Sequence, residues 1–143
     1  MEVITINTDM LNDAMTMLKE TSRTFYIPIN DLDFGLKEAV TSAYLCMRAI
    51  DEIEDHEELA DPLKIELLYG VYQAFQSSDI MGSIQRLLAP HQQELPEVSM
   101  RLDEWLALCP PTAMPIVEKY IAKMSLEMSE WVQNGWNIHT EED

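Results

Sequence analysis

Four side chains that could bind charged groups recur at helical spacing in the middle of the chain: Tyr44, Arg48, Asp51 and Asp55. A helix advances about 100° per residue, so these side chains fall within a band of roughly 60° on one face. Apolar residues border that face, namely Ala39, Val40, Ala43, Cys46, Met47, Ile50 and Ile53. The pattern predicts a helix that lines an interior cavity and handles a charged ligand.

The two aspartates of this face, Asp51 and Asp55, lie one helical turn apart and could hold one or two Mg²⁺ ions. Mg²⁺ keeps several waters and takes only one or two protein carboxylates, which leaves positions for phosphate oxygens. Glu54 could add a third ligand. The alternative is that acidic residues near a helix end simply face water.

Arg48 has two interpretations as well. Its planar guanidinium suits two-pronged contact with a diphosphate. It could equally form an ordinary intrahelical ion pair with Asp51 or Glu52, which would contribute only a few tenths of a kcal/mol.

A second polar cluster, Thr21-Ser22-Arg23-Thr24-Phe25, follows the first predicted helix. Hydroxyl side chains at such a position often form turns. If the segment folds against the polar face described above, the hydroxyls and Arg23 become phosphate contacts, and Phe25 becomes a wall for an apolar chain.

The elements that must position these residues are all helical. Apolar periodicity predicts a first helix from Thr8 or Asp9 to about Ser22–Phe25, followed by extended chain over Tyr26–Ile29 at Pro28. Further helices are predicted over residues 32–55 (capped by Asn30 or Asp31), 61–75 (with Asp61 as cap), 80–88, 96–108 and 113–133. The last has an apolar stripe at Ile116, Tyr120, Ile121, Met124, Met128 and Trp131. We therefore expect a single all-α domain over residues 1–143.

Composition narrows the function. The 143 residues carry 26 acids and 9 bases, a formal charge of −17 that disfavours nucleic acid and anionic membrane surfaces. A phosphate ligand would need a metal ion to offset this field. The sequence contains two cysteines without metal-binding spacing, and it has no leader sequence and no long apolar run. It therefore predicts a soluble cytoplasmic chain without a transmembrane segment. Neither a GxSxG motif nor a P-loop is present.

The two clusters together resemble the N-terminal half of the squalene/phytoene synthase family. That family's pattern is S-[RK]-[ST]-F, then a spacer, then Y-x-x-x-R-x-x-D-x-x-x-D. Here the first element is Ser22–Phe25 and the second is Tyr44-Leu-Cys-Met-Arg48-Ala-Ile-Asp51-Glu-Ile-Glu54-Asp55. Both elements occur in order and at the expected separation.

The resemblance implies an isoprenoid-synthase-type helical bundle around a central cavity. It implies Mg²⁺-dependent head-to-head condensation of two prenyl diphosphates, farnesyl or geranylgeranyl, through a cyclopropylcarbinyl diphosphate. NADPH would be used if the product is squalene, and a lipid product would bring the protein to a membrane periphery. By the same resemblance Asp51, Glu54 and Asp55 hold metal, and Asp51, Asp55 and Arg48 are catalytic. Substrate would meet Thr21, Ser22, Arg23, Thr24, Phe25, Tyr44 and Arg48.

The sequence departs from the family in two ways. Some members have histidine at the position of Thr21, and the family's second aspartate-rich motif is absent from these 143 residues. We therefore expect about half of a family domain, inactive without the C-terminal half. Two alternatives are a non-catalytic helical binding or assembly domain of the same fold, and hydrolysis of a prenyl diphosphate to the alcohol.

Overall fold

The computed structural model describes residues 2–134, with side chains from residue 9 onward. Within this range the backbone forms eight α-helices, one short 3₁₀ helix and no strand, which confirms the all-α prediction. The helices are α1 (Glu2–Thr21), α2 (Arg23–Asn30), α3 (Leu36–Glu54), α4 (Asp61–Phe75), α5 (Ile80–Leu88), α6 (Glu97–Met100), α7 (Leu102–Ala107) and α8 (Met114–Gln133), with the 3₁₀ helix at Ala89–His91.

Helix α3 lies at the centre of the bundle and packs against α1, α2, α4, α6, α7 and α8. Its buried residues are Thr41, Ser42, Leu45, Cys46, Ala49, Ile50 and Ile53. Tyr44, Arg48 and Asp51 are half-buried on α3, and Asp55, which follows its last residue, is exposed.

Two buried serines connect the neighbouring helices across the core. The Ser99 hydroxyl of α6 donates to the Ala49 carbonyl oxygen at 2.7 Å, directly behind Arg48 on α3. The Ser125 hydroxyl of α8 donates to the Leu68 carbonyl oxygen of α4 at 2.5 Å. Since both hydroxyls are buried, each bond satisfies a polar group that would otherwise be costly in the core.

Arg101 connects α1 to the α6–α7 pair. Its guanidinium donates to Glu97 at 2.8 Å and to Glu104 at 3.0 Å, and it also contacts Asp13 of α1. The same group stacks over the Trp105 ring, 4.4 Å from its centroid. The helix predicted over 96–108 is divided at this residue, whose backbone departs from α-helical geometry.

The prediction of extended chain over Tyr26–Ile29 is wrong, because α2 runs through Pro28. Ser22 begins this helix, and its hydroxyl oxygen accepts from the Phe25 amide at 3.3 Å. The helix ends two residues after Pro28, so the proline removes one amide donor only near the end of the helix.

The predicted boundaries of α1 and α3 also need correction. Helix α1 begins at Glu2, before Thr8 and Asp9. Helix α3 begins at Leu36 after Gly35, whose φ of 90° suits glycine, and Glu38 accepts from the Gly35 amide. Ala60 is the N-cap of α4, and Asp61 lies in its first turn. Helices α5 and α8 agree with prediction to within a residue.

None of the helices in the described part of the chain has the length and apolar character needed to cross a bilayer.

Candidate metal and diphosphate site

Asp51, Glu54 and Asp55 come together at the end of α3. One carboxylate oxygen from each lies within 4.8 Å of the others. Asp51 and Glu54 are half-buried, and Asp55 is exposed. The i, i+3 and i+4 spacing on one helix is enough to produce this cluster, because such residues are neighbours on a helix surface.

Electrostatics in this cluster favours a bound cation. Burial, and then repulsion by Asp55, raises the pKa of the Asp51 carboxyl. Burial together with Asp55 and Asp51 raises the pKa of Glu54 to about 7, while Lys64 of α4 acts in the opposite direction. A positive charge placed between crowded carboxylates stabilises their ionised form.

The residues present fit Mg²⁺. All three donors are carboxylate oxygens, the hard ligands that this ion prefers, and they leave half of an octahedral shell for water or phosphate. The described part of the chain contributes no sulfur or imidazole to the group, which argues against a softer metal.

Arg48 lies beside this cluster and is paired within its own helix. Its Nη1 donates to Asp51 at 3.2 Å, and its Nη2 contacts Glu52 at 2.6 Å. Its Nε is buried and makes no hydrogen bond in the described structure. The intrahelical ion pair considered from sequence is thus present, and the contact with diphosphate stays a prediction.

The 21–25 segment reaches α3 at two points. The Phe25 ring packs against Tyr44 with centroids 5.3 Å apart. Thr21 and Arg48 line one cavity of about 310 Å³, together with residues of α1, α3 and the Pro96–Val98 segment. The structure therefore brings Thr21 to Arg48, and Phe25 to Tyr44 one turn earlier on α3.

The hydroxyls of this segment currently serve the backbone. Thr21 donates to the Met17 carbonyl oxygen at 3.0 Å, and Ser22 caps α2. Arg23 and Thr24 are exposed, and the described structure provides neither side chain with a hydrogen bond or ion pair. Thr21 thus bonds within helix α1 and Ser22 caps α2, and phosphate contact stays a prediction for all of these hydroxyls.

Lys64 is a neighbour of the acidic cluster that sequence reasoning missed. It lies on α4, which packs against α3, and its charge acts on Glu54. No spacing rule connects residues across the turn between α3 and α4, so only the packed structure could find this positive charge beside the acidic cluster.

Comparison with known proteins gives partial matches to squalene synthases. A squalene synthase of Botryococcus braunii is 28% identical over 116 residues, which is 81% of this chain and 24% of that protein. One of Solanum lycopersicum is 35% identical over 57 residues, 40% of this chain and 14% of that protein. One of Saccharomyces cerevisiae is 44% identical over 52 residues, 36% of this chain and 12% of that protein.

The chain therefore spans about a quarter or less of the length of these relatives. No family model matches it, and no solved structure does. Several independent matches nevertheless fall on squalene synthases, in agreement with the two motifs and the all-α fold. Over part of its length the chain is thus similar to squalene synthases.

Proposed function

We propose that this chain carries the first metal-binding part of an enzyme that condenses two prenyl diphosphates head to head in a Mg²⁺-dependent reaction. One observation carries the proposal. Three carboxylates within 4.8 Å of one another lie next to an arginine, on a half-open face of a helix that is otherwise packed in the core.

In this proposal Asp51 and Asp55 hold the metal, with Glu54 as a third ligand. Bound Mg²⁺ would neutralise charge on the diphosphate and make it a better leaving group. This matters in a chain with a formal charge of −17, because an anionic substrate would otherwise be repelled.

Arg48 would bind diphosphate oxygens beside the metal. Its side chain is 33% exposed and lines the 310 Å³ cavity, so its terminal nitrogens are accessible to an oxyanion. Such a contact is aimed at the charge that develops on the leaving group as the carbon–oxygen bond breaks.

Tyr44 and Phe25 would form an aromatic wall for the prenyl chain, one turn from Arg48. Aromatic faces stabilise nearby positive charge and exclude water, which a carbocation requires. Thr21, Ser22, Arg23 and Thr24 lie in the segment that leads to this wall and are proposed as its diphosphate contacts.

Titration calorimetry of this chain with pyrophosphate, with and without Mg²⁺, tests the metal assignment. We expect binding that requires Mg²⁺ and is lost in Asp51→Asn plus Asp55→Asn. The matched control is Asp31→Asn plus Asp33→Asn, which makes the same charge change at two exposed positions before α3. Unchanged metal-dependent binding in the first double variant would refute the assignment.

A further inference from the structure

The guanidinium of Arg48 is held between two carboxylates. Nη1 contacts Asp51 at 3.2 Å and Nη2 contacts Glu52 at the shorter distance of 2.6 Å, while Nε is buried without a hydrogen-bond partner. Each of the three side chains is about one third exposed, 33% for Arg48, 31% for Asp51 and 32% for Glu52. These pairs are partly shielded from solvent, and Arg48 is not a free cation.

The shape of the guanidinium makes the Glu52 contact the more consequential of the two. A two-pronged contact with an oxyanion uses either the Nε and Nη2 edge or the Nη1 and Nη2 edge. Both edges use Nη2, each with a different N–H, and Glu52 at 2.6 Å occupies one of these two donors. Asp51 is the proposed metal ligand and would turn to the cation, whereas no such role draws Glu52 away.

We propose that Glu52 competes with the diphosphate for Arg48 and so limits the affinity of the site for phosphate. The inference rests on the function proposed above and adds to it a residue that tunes the same site. The carboxylate of Glu52 contacts Nη2 where an oxyanion of the substrate would, and bound diphosphate displaces it.

The surroundings of Glu52 permit that displacement. Glu52 lines the 310 Å³ cavity that contains Arg48 and Thr21. It also lines an adjoining cavity of about 570 Å³ with Asp55, His56, Glu57, Glu58 and Glu94. A released carboxylate thus has open space beside it, and that space is lined mainly by other carboxylates.

Glu52→Gln tests the competition, because it keeps the size of the side chain and removes its charge. We expect about threefold to tenfold tighter binding of pyrophosphate with Mg²⁺, given the modest strength of a helix ion pair plus the lost repulsion between carboxylate and oxyanion. Glu52→Ala should change affinity in the same direction. Titration calorimetry on the whole chain at fixed ionic strength gives these dissociation constants.

The matched control is Glu57→Gln, an exposed residue near the same end of α3 that makes no contact with Arg48 in the described structure. It should change the dissociation constant less than twofold. A double-variant cycle adds Arg48→Gln, and in that background Glu52→Gln should give a clearly smaller gain, because only the direct repulsion between carboxylate and oxyanion is then removed.

The outcomes are distinguishable. Equal or weaker binding by Glu52→Gln, or the same gain in the Arg48→Gln background, would overturn the competition while leaving the proposed function intact. If the wild-type chain binds no pyrophosphate with Mg²⁺, the proposed function fails and the inference falls with it.

Discussion

Removing the charge of Glu54 should stabilise the folded chain at alkaline pH in the absence of divalent metal. Burial and the neighbouring carboxylates raise the pKa of Glu54 from 4.5 to about 7. A carboxyl group with a raised pKa in the folded state favours folding fully at a pH below its unfolded pKa. That contribution is lost as pH rises through about 7. The substitution Glu54→Gln should therefore matter at pH 8 and have little effect at pH 4.5.

The expected magnitude follows from the same shift. Taken in full, a rise from 4.5 to about 7 corresponds to roughly 3 kcal/mol. Glu54 is only half-buried, and solvent screening reduces the expected gain to about 1 kcal/mol. For a chain of 143 residues this is an increase in Tm of about 3 °C.

Urea unfolding followed by circular dichroism at pH 4.5 and pH 8 measures the effect. Glu57→Gln is the control, since it removes one negative charge, as Glu54→Gln does, but at an exposed position. Millimolar Mg²⁺ should stabilise the wild type more than Glu54→Gln, because the variant loses a proposed ligand. Destabilisation by Glu54→Gln at pH 8, or the same gain at both pH values, would refute the argument that crowding at this site opposes ionisation.

Three further predictions concern the core, the cation and the reaction. Ser99→Ala should cost about 1 kcal/mol in urea unfolding by removing the buried bond to the Ala49 carbonyl, whereas Ser78→Ala at an exposed site should cost almost nothing. Arg48→Ala should weaken Mg²⁺-dependent pyrophosphate binding more than Arg48→Lys, and both should weaken it, since lysine lacks a planar fork; wild-type affinity in both would leave Arg48 as an ion-pair residue only. The 143-residue chain incubated with farnesyl diphosphate and Mg²⁺ should give no C30 hydrocarbon by mass spectrometry, because the resemblance places a second metal-binding motif outside these residues; a C30 product from a monomer would contradict this.

The part of the site that the sequence predicted well lies within a single helix. The spacing of Arg48, Asp51 and Asp55 fixes their relation once α3 forms, and adding Glu54 requires nothing beyond helix geometry. The same rule anticipated the pairing of Arg48 with Asp51 or Glu52, and both pairs are present. Local spacing could not tell which carboxylate contacts which nitrogen, because that depends on side-chain rotamers and on the degree of burial.

Contacts between elements were less predictable, for identifiable reasons. The capping bond of Ser22 outweighs the local preference of the residues around Pro28, so α2 is helical where extended chain was expected. The hydroxyls of Thr21 and Ser22 form hydrogen bonds with backbone groups, and these bonds compete with binding of a ligand. Composition alone cannot distinguish a hydroxyl that bonds to the backbone from one that binds a ligand. Lys64 reaches Glu54 through the turn between α3 and α4, and no sequence period encodes that approach.

The last helix illustrates what apolar periodicity leaves open. Ile121 and Met128, both part of the predicted stripe, are buried with Ser125 on the side that packs against α4. Ile116, Tyr120 and Trp131 belong to the same stripe, but they lie at 61%, 54% and 42% exposure. A stripe spaced at three and four residues is wide enough to span two adjacent faces, and one partner helix can bury only one of them. Periodicity therefore identifies α8 as amphipathic. It does not show how many helices pack against α8, because that depends on how much of its apolar surface α4 leaves exposed.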